Sequence, residues 1–406
     1  MACLAVVAST VLSAMAQPPG RLPAFSWDRV PQYMHIRKAQ KFTDAEIEYL
    51  ASFPLVTFEK TTGFQAFQST EDGTLAAARA VKKVNPSAKI LYYRNVLVHY
   101  GTYKANEKID QMPGAFLTGT KGKTKLIRKK LSAYDLSKIE VRDWWVGHAS
   151  EVCADPAIDG LFLDGVAKVL RPEFLEKEIG IDKKAAVRAG YETMMRETRE
   201  ALGPDKILFA NVLRAGTTDS GSVELKRFDG SYIEGFEHAS SPEVRKENVA
   251  KGIEEFQKAA RGGYPIAFTA GLSGLNDEEG DLNPQSTDEV RKGLEKNAQY
   301  NKRFEYLLAL FLVCAEKHSY FLAHDGYSSD TSKVWMNRPP EMERPLGPPQ
   351  GPAVREGFLY TREFAHAKVR VDIENEVGEI EWIDPEHPGE PPSEPAEQDP
   401  TPTDKK

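Results

Sequence analysis

The chain has 406 residues, of which 41% are hydrophobic and 28% charged. That balance belongs to a folded globular protein and excludes a disordered chain, a collagen-like repeat and a polytopic membrane protein. The formal net charge is −7, but residues 384–406 hold seven acids against two lysines, so the body is nearly neutral and a dedicated nucleic-acid binder is excluded.

Residues 2–16, ACLAVVASTVLSAMA, form an apolar run ending in Ala14-Met15-Ala16. The run is too short for a membrane span, and its A-x-A ending predicts a cleaved secretory signal over 1–16. No other membrane segment is expected, and localisation is read as secreted or periplasmic. Cys3, Cys153 and Cys314 make neither a disulfide framework nor a CxxC metal motif.

Eight short apolar or aromatic runs follow: Tyr33–Ile36, Leu55–Phe58, Ile90–Tyr93, Gly160–Leu163, Ile207–Ala210, Ser231–Ile233, Pro265–Phe268 and Ser319–Leu322. Most are continuous rather than alternating, as in strands buried on both faces of a parallel sheet. Helical patterns lie between them. Thr43-Asp44-Ala45-Glu46 and Ser137-Lys138-Ile139-Glu140 read as capping boxes, and Ser241-Pro242 as a third helix start. Residues 183–202 and 286–317 are helical by pattern. An α/β fold of the (β/α)8 TIM-barrel type is expected over 27–335, with an open doubly wound sheet as the alternative. The long gap after the third run predicts an insertion near 101–133.

Beyond the eighth apolar run the period changes. Lys368–Ile373 alternates strictly and Gly378–Trp382 answers it, which predicts a β-hairpin. A hairpin alone is marginal in water, so 336–383 is expected to be a small β-unit packed on the barrel. Residues 384–406, with seven prolines, read as a disordered acidic tail.

In such a barrel the chemistry sits at the C-terminal strand ends. Those positions hold Lys38, Glu59, Lys60, Arg94, Asn95, Asp164, Asn211, Arg214, Glu234, Glu237, His238, Thr269, His324 and Asp325. Asp164 and Glu234 stand out, each ending an apolar run and followed by glycine. Two carboxylates facing one pocket are the minimum for glycosidic cleavage, one protonating the leaving oxygen and the other acting as nucleophile or base. Glu234 is assigned as acid/base and Asp164 as its partner. Lys38, Glu59, Asn95, Asn211, Glu237, His238 and Asp325 are the expected substrate-binding groups. Tyr92, Tyr93, Tyr100, Trp144 and Trp145 are candidate stacking faces. The eight histidines show no ligand spacing, so no metal and no cofactor are expected. Gly122-Lys123-Thr124 lacks the earlier glycine of a phosphate loop. Lys121–Lys130, with six basic residues in ten, reads as a solvated loop or as a contact for an anionic polysaccharide.

The runs DGLFLDGV (159–166), YIEGFEH (232–238), PLGPPQGPAV (345–354) and REFAHAKVRVDIENEVGEIEW (362–382) carry a resemblance across residues 27–383. The chain resembles the TIM-barrel glycoside hydrolases catalogued as hypothetical glycosyl hydrolase family 15 and, more distantly, the endo-acting polygalactosaminidases. The resemblance implies a retaining or inverting glycosidase acting on a carbohydrate. The expected function is therefore a secreted glycoside hydrolase of poly- or oligosaccharides. The rival is a non-catalytic carbohydrate-binding protein on the same scaffold.

Overall fold

Eight parallel strands form one sheet in sequential order: β1 (Met34–Ile36), β2 (Leu55–Phe58), β3 (Lys89–Asn95), β4 (Gly160–Asp164), β5 (Ile207–Asn211), β6 (Gly230–Ile233), β7 (Ile266–Gly271) and β8 (Ser319–His324). The computed structural model describes residues 20–214, 221–234, 236–237, 244–272, 298–332 and 335–385. Parallel bridges Gln32 to Phe321 and Arg37 to Ser328 join the last strand to the first. The Tyr33 N–H donates to Phe321 O at 3.0 Å and the Arg37 N–H to Tyr327 O at 2.8 Å. The sheet thus closes into a TIM barrel, as the eight apolar runs require. The predicted signal segment, the start at Ser241-Pro242, residues 286–297 and nearly all of the acidic tail lie outside the described residues.

Period two divides each strand. Tyr33, Leu55, Leu91, Tyr93, Phe162, Phe209, Tyr232 and Tyr320 fill the barrel interior. Their neighbours Met34, Val56, Ile90, Tyr92, Leu161, Leu208, Ile233 and Phe321 face the surrounding helices. Burial on both faces explains why the strands read as continuous apolar runs.

The Thr43 capping box forms as expected. Its hydroxyl accepts from the Glu46 N–H, and Glu46 reaches back to the Thr43 N–H at 2.7 Å. The box expected at Ser137 does not form. Helix Ile139–Cys153 starts from Lys138 without a side-chain cap. Ser137 Oγ instead donates to Asp135 at 2.6 Å and takes Lys183 Nζ at 2.9 Å, so a local pattern loses to tertiary partners. The insertion after β3 is real, held at its base by antiparallel bridges Val98 to Ala133 and Phe116 to Tyr134. Cys153 and Cys314 are buried free thiols, and burial raises both thiol pKa values, Cys153 to about 12.

At the C-terminal end, β9 (Val354–Glu356), β10 (Leu359–Phe364), β11 (Ala367–Asp372) and β12 (Val377–Trp382) form an antiparallel sheet in the order β12-β11-β10-β9. Its inward face carries Tyr360, Phe364, Val369 and Val371, which pack on helix Ala298–Cys314. Its wet face pairs Lys368 with Glu381 and Arg370 with Glu379 across the strands. The expected hairpin is thus the core of a four-stranded unit. Helix Ala298–Cys314 is buried along Tyr306–Cys314 between barrel and sheet, so it reads as apolar on every side. Arg362, with its side chain 1% exposed, donates to Leu312 O, Val313 O and Ala315 O at the end of that helix. Those are carbonyls a helix leaves without partners.

Candidate active site

The parity that fills the barrel also aims its polar tips. Two residues beyond inward Tyr93, Phe162, Phe209 and Tyr232 stand Asn95, Asp164, Asn211 and Glu234. All four therefore crown the barrel interior at its C-terminal end, and Asn95 lies directly opposite Asp164 in the β3–β4 register.

Asp164 Oδ2 accepts from Tyr93 Oη at 2.6 Å and from Asn95 Nδ2 at 3.0 Å. Asn95 is itself oriented, because its Oδ1 accepts from the N–H groups of Leu97 and Val98 at 3.0 and 2.7 Å. Asn211 Nδ2 donates to both carboxylates, at 3.3 Å to Asp164 Oδ1 and 2.8 Å to Glu234 Oε2. Arg214 completes the cluster, with one nitrogen 2.6 Å from Glu234 Oε2 and another 3.2 Å from Glu234 O. Glu234 Oε1 has no hydrogen-bond partner among the described residues. Gly165 closes behind Asp164 with φ 79°, and a Cβ there would lie 2.6 Å from Asn95 Oδ1. Only glycine both turns the chain so and leaves room for that amide.

Both carboxyls are held below their ordinary range. Burial pushes Asp164 up, but Lys168, the Tyr93 hydroxyl, Lys60 and the Gly165 N–H together outweigh it. Burial likewise pushes Glu234 up and the Asp164 charge adds to that, yet Arg214 and Asn211 prevail. In the resting site both groups are anionic at neutral pH.

The other expected residues divide by position. Glu59 is buried at the tip of β2, ion-paired with Arg37 at 2.9 Å and with Lys60. Lys60 Nζ lies 5.2 Å from the centre of the Tyr93 ring and 5.3 Å from that of Tyr100, so it borders the carboxylate cluster. Lys38 shares the outward parity of Met34 and Ile36 and binds Glu46 of the first helix at 2.7 Å. Glu237 pairs with Arg303 of helix Ala298–Cys314, and Asp325 accepts from Ser332 Oγ. His238 lies outside the described residues. Of the aromatic candidates, Trp144 and Trp145 are core, donating to Ala105 O and Asn95 O at 3.0 Å each. Tyr92 is also core, whereas Tyr93 positions Asp164 and half-buried Tyr100 lies under Lys60.

The sequence reading missed His35. It is buried on the barrel axis against Phe162, Tyr232 and Tyr327, with Nδ1 3.1 Å from Tyr33 Oη. Burial, Lys60 and His324 push its pKa well down, against Glu234 and Asp164, so the ring is neutral. The available signal was a histidine at inward parity inside an apolar strand.

A parallel eight-stranded barrel with two carboxylates joined at its C-terminal mouth has the build of a glycoside hydrolase. The chain belongs to hypothetical glycosyl hydrolase family 15, whose family model matches residues 82–368. No curated protein matches the chain in sequence. Among solved structures it is similar to the glycoside hydrolase domain of PelA from Pseudomonas aeruginosa, with TM-score 0.42, 13% identity, and coverage of 65% of this chain and 92% of that one. It is also similar to an Anoxybacillus α-amylase, with TM-score 0.47, 10% identity, and coverage of 85% and 86%. A third is TtGalA, an α-galactosidase from Thermus thermophilus, with TM-score 0.42, 14% identity, and coverage of 88% and 68%.

Proposed function

We propose that this glycoside hydrolase is a secreted, retaining enzyme that cleaves poly- or oligosaccharides with Asp164 as nucleophile and Glu234 as acid/base. The observation that carries the reading is the single Asn211 amide touching both carboxylates. Contacts of 2.8 and 3.3 Å to one nitrogen hold the two oxygens no more than about 6 Å apart. Double displacement uses about 5–5.5 Å between carboxyls, and inversion needs a wider gap that admits water.

The hydrogen bonds divide the labour within each carboxylate. Asp164 Oδ2 is held by two side-chain donors, whereas among the described residues Oδ1 takes from a side chain only the longer Asn211 bond and is the attacking atom. Glu234, anionic in the resting site, first takes a proton from solvent on Oε1; Asp164 Oδ1 then bonds to the anomeric carbon as the glycosidic C–O bond breaks, and that proton passes to the leaving oxygen. Water then attacks the anomeric carbon, Glu234 takes its proton, and Asp164 leaves as the carboxylate. Loss of the Asp164 charge in the ester removes one of the terms that raise the Glu234 pKa, which suits Glu234 to act as a base in the second step.

Purified protein is expected to release reducing ends from at least one member of a panel of plant, algal and microbial polysaccharides. Glu234→Gln is expected to abolish release while leaving the circular dichroism spectrum and melting temperature unchanged. Binding of a glycan by the parent protein without release would instead support the non-catalytic reading. Secretion is tested separately, by whether the exported protein begins at Gln17.

A further inference from the structure

We infer that the cleft accepts an anionic polysaccharide, its acidic groups seated along the basic hairpin Lys121–Lys130 and the cations beside the carboxylates. The inference rests on the glycosidase reading and adds the chemical class of its substrate. The hairpin belongs to the insertion that leaves β3 at the catalytic end of the barrel. Its base is anchored, with Ile109, Leu117, Ile127 and Tyr134 buried beneath it. Its tip is a tight turn closed by the Lys130 N–H on Ile127 O at 3.0 Å. Arg128 and Lys129 occupy consecutive left-handed positions, φ 49° and 58°, where hairpins favour asparagine and glycine. Two long cations thus stand where the backbone prefers small residues, a cost that tends to collect at functional positions.

Lys121, Lys123, Lys129 and Lys130 are exposed, and none is ion-paired with a described residue. Exposed lysines without an ion pair to a described residue also occur singly, as at Lys41, Lys83 and Lys226, but here four fall within ten residues of a nearly neutral body. Tyr100 links this patch to the chemistry. It lies on the same insertion, next to His99, whose N–H donates to Ser132 O at 3.1 Å, and Ser132 Oγ in turn takes Lys125 Nζ at 3.0 Å. Lys60 sits over the Tyr100 and Tyr93 rings, so contacts run from the basic segment to the carboxylate cluster.

A neutral glycan gains little from these cations, and they oppose the protonated state that an acid catalyst needs. An anionic sugar changes both terms. Its charge is drawn to the patch over a distance of about 10 Å at ordinary salt. A carboxylate or sulfate beside Arg214 competes with Glu234 for the guanidinium, and so returns the Glu234 pKa toward the range in which it can carry a proton.

The test is affinity electrophoresis of the full Glu234→Gln chain in gels containing polygalacturonate, dextran sulfate or neutral dextran. Binding is read there without turnover, so its outcome is independent of whether the carboxylates are catalytic. Retardation by a polyanion but not by dextran, weakening as NaCl is raised, is expected. Retention by polygalacturonate alone assigns the anion as a carboxylate, and retention by dextran sulfate alone as a sulfate ester. Adding Lys121→Gln, Lys123→Gln, Lys129→Gln and Lys130→Gln together is expected to weaken binding at least tenfold. Lys368→Gln with Arg370→Gln, on the wet face of the C-terminal sheet, is expected to leave it unchanged. Equal mobility in all three gels, or undiminished binding by the four-lysine variant, would overturn the inference.

Discussion

Replacing Arg214 by methionine isolates the strongest electrostatic contact in the cluster. The guanidinium lies 2.6 Å from Glu234 Oε2, and both side chains keep roughly a quarter of their surface exposed, 29% and 27%. Without it, burial and the Asp164 charge raise the Glu234 pKa, opposed mainly by the Asn211 hydrogen bond. A contact of opposite charges shifts a carboxyl by about 1–3 units. Partial exposure of both groups screens the contact and keeps the upward shift toward the smaller end of that range. The Glu234 titration is therefore expected to move from below the ordinary 4.5 to above it. Carboxyl-13C NMR of glutamate-labelled protein reads this directly, with the resonance assigned by its loss in Glu234→Gln. Stability should follow with a definite sign. A depressed pKa contributes stability above the unfolded value, and this is lost as pH falls through the folded value. In Arg214→Met the raised pKa reverses that term, so the variant should lose less stability than the parent between pH 7 and about pH 4. Arg214→Lys should restore most of the depression. A Glu234 midpoint in Arg214→Met equal to or below that of the parent would refute the assigned balance of charges.

Three further outcomes are expected. Tyr93→Phe removes the shortest hydrogen bond to Asp164 without changing the packing of the ring, so the Asp164 midpoint should rise in the same NMR titration. Gly165→Ala forces a Cβ against the Asn95 amide at positive φ, and should lower the melting temperature by the equivalent of about 1–3 kcal/mol while impairing any glycan cleavage. Arg362→Ala leaves buried helix-end carbonyls and Glu316 without their cation, and should cost about 3–5 kcal/mol in denaturant unfolding. An Arg362→Ala loss under about 1 kcal/mol would show that water replaces the guanidinium.

The barrel was legible because strands covered on both faces must be apolar throughout, and all eight runs became strands. Their ends were less legible. An apolar run stops at the first polar residue, so β3, β4 and β5 were read short of Asn95, Asp164 and Asn211, which complete them. Parity, rather than hydropathy, decides which tips point inward. It admits Asn95, Asp164, Asn211 and Glu234 and sends Lys38 out to Glu46. Partnerships across the barrel were hidden, since nothing in the sequence ties Tyr93 to Asp164 or Arg214 to Glu234. Trp144 and Trp145, candidate stacking faces by residue type, are core, because composition does not reveal which side of a helix is covered. Ser137 failed as a cap for a related reason, its hydroxyl being claimed by Asp135 and Lys183 from outside the local pattern.

The clasp of Arg362 on helix Ala298–Cys314 bears on the order of synthesis. That helix completes the wall of the barrel, yet its outer face is covered by strands made afterwards, and one of them supplies the Arg362 that clasps its terminal carbonyls. A nascent chain that has just delivered β8 therefore holds an exposed apolar helix with an unfinished end. Final locking waits until β10, β11 and β12 have left the ribosome, well after the eight barrel strands are made. A ribosome stalled after β8 and before β10 would therefore carry a protease-sensitive barrel.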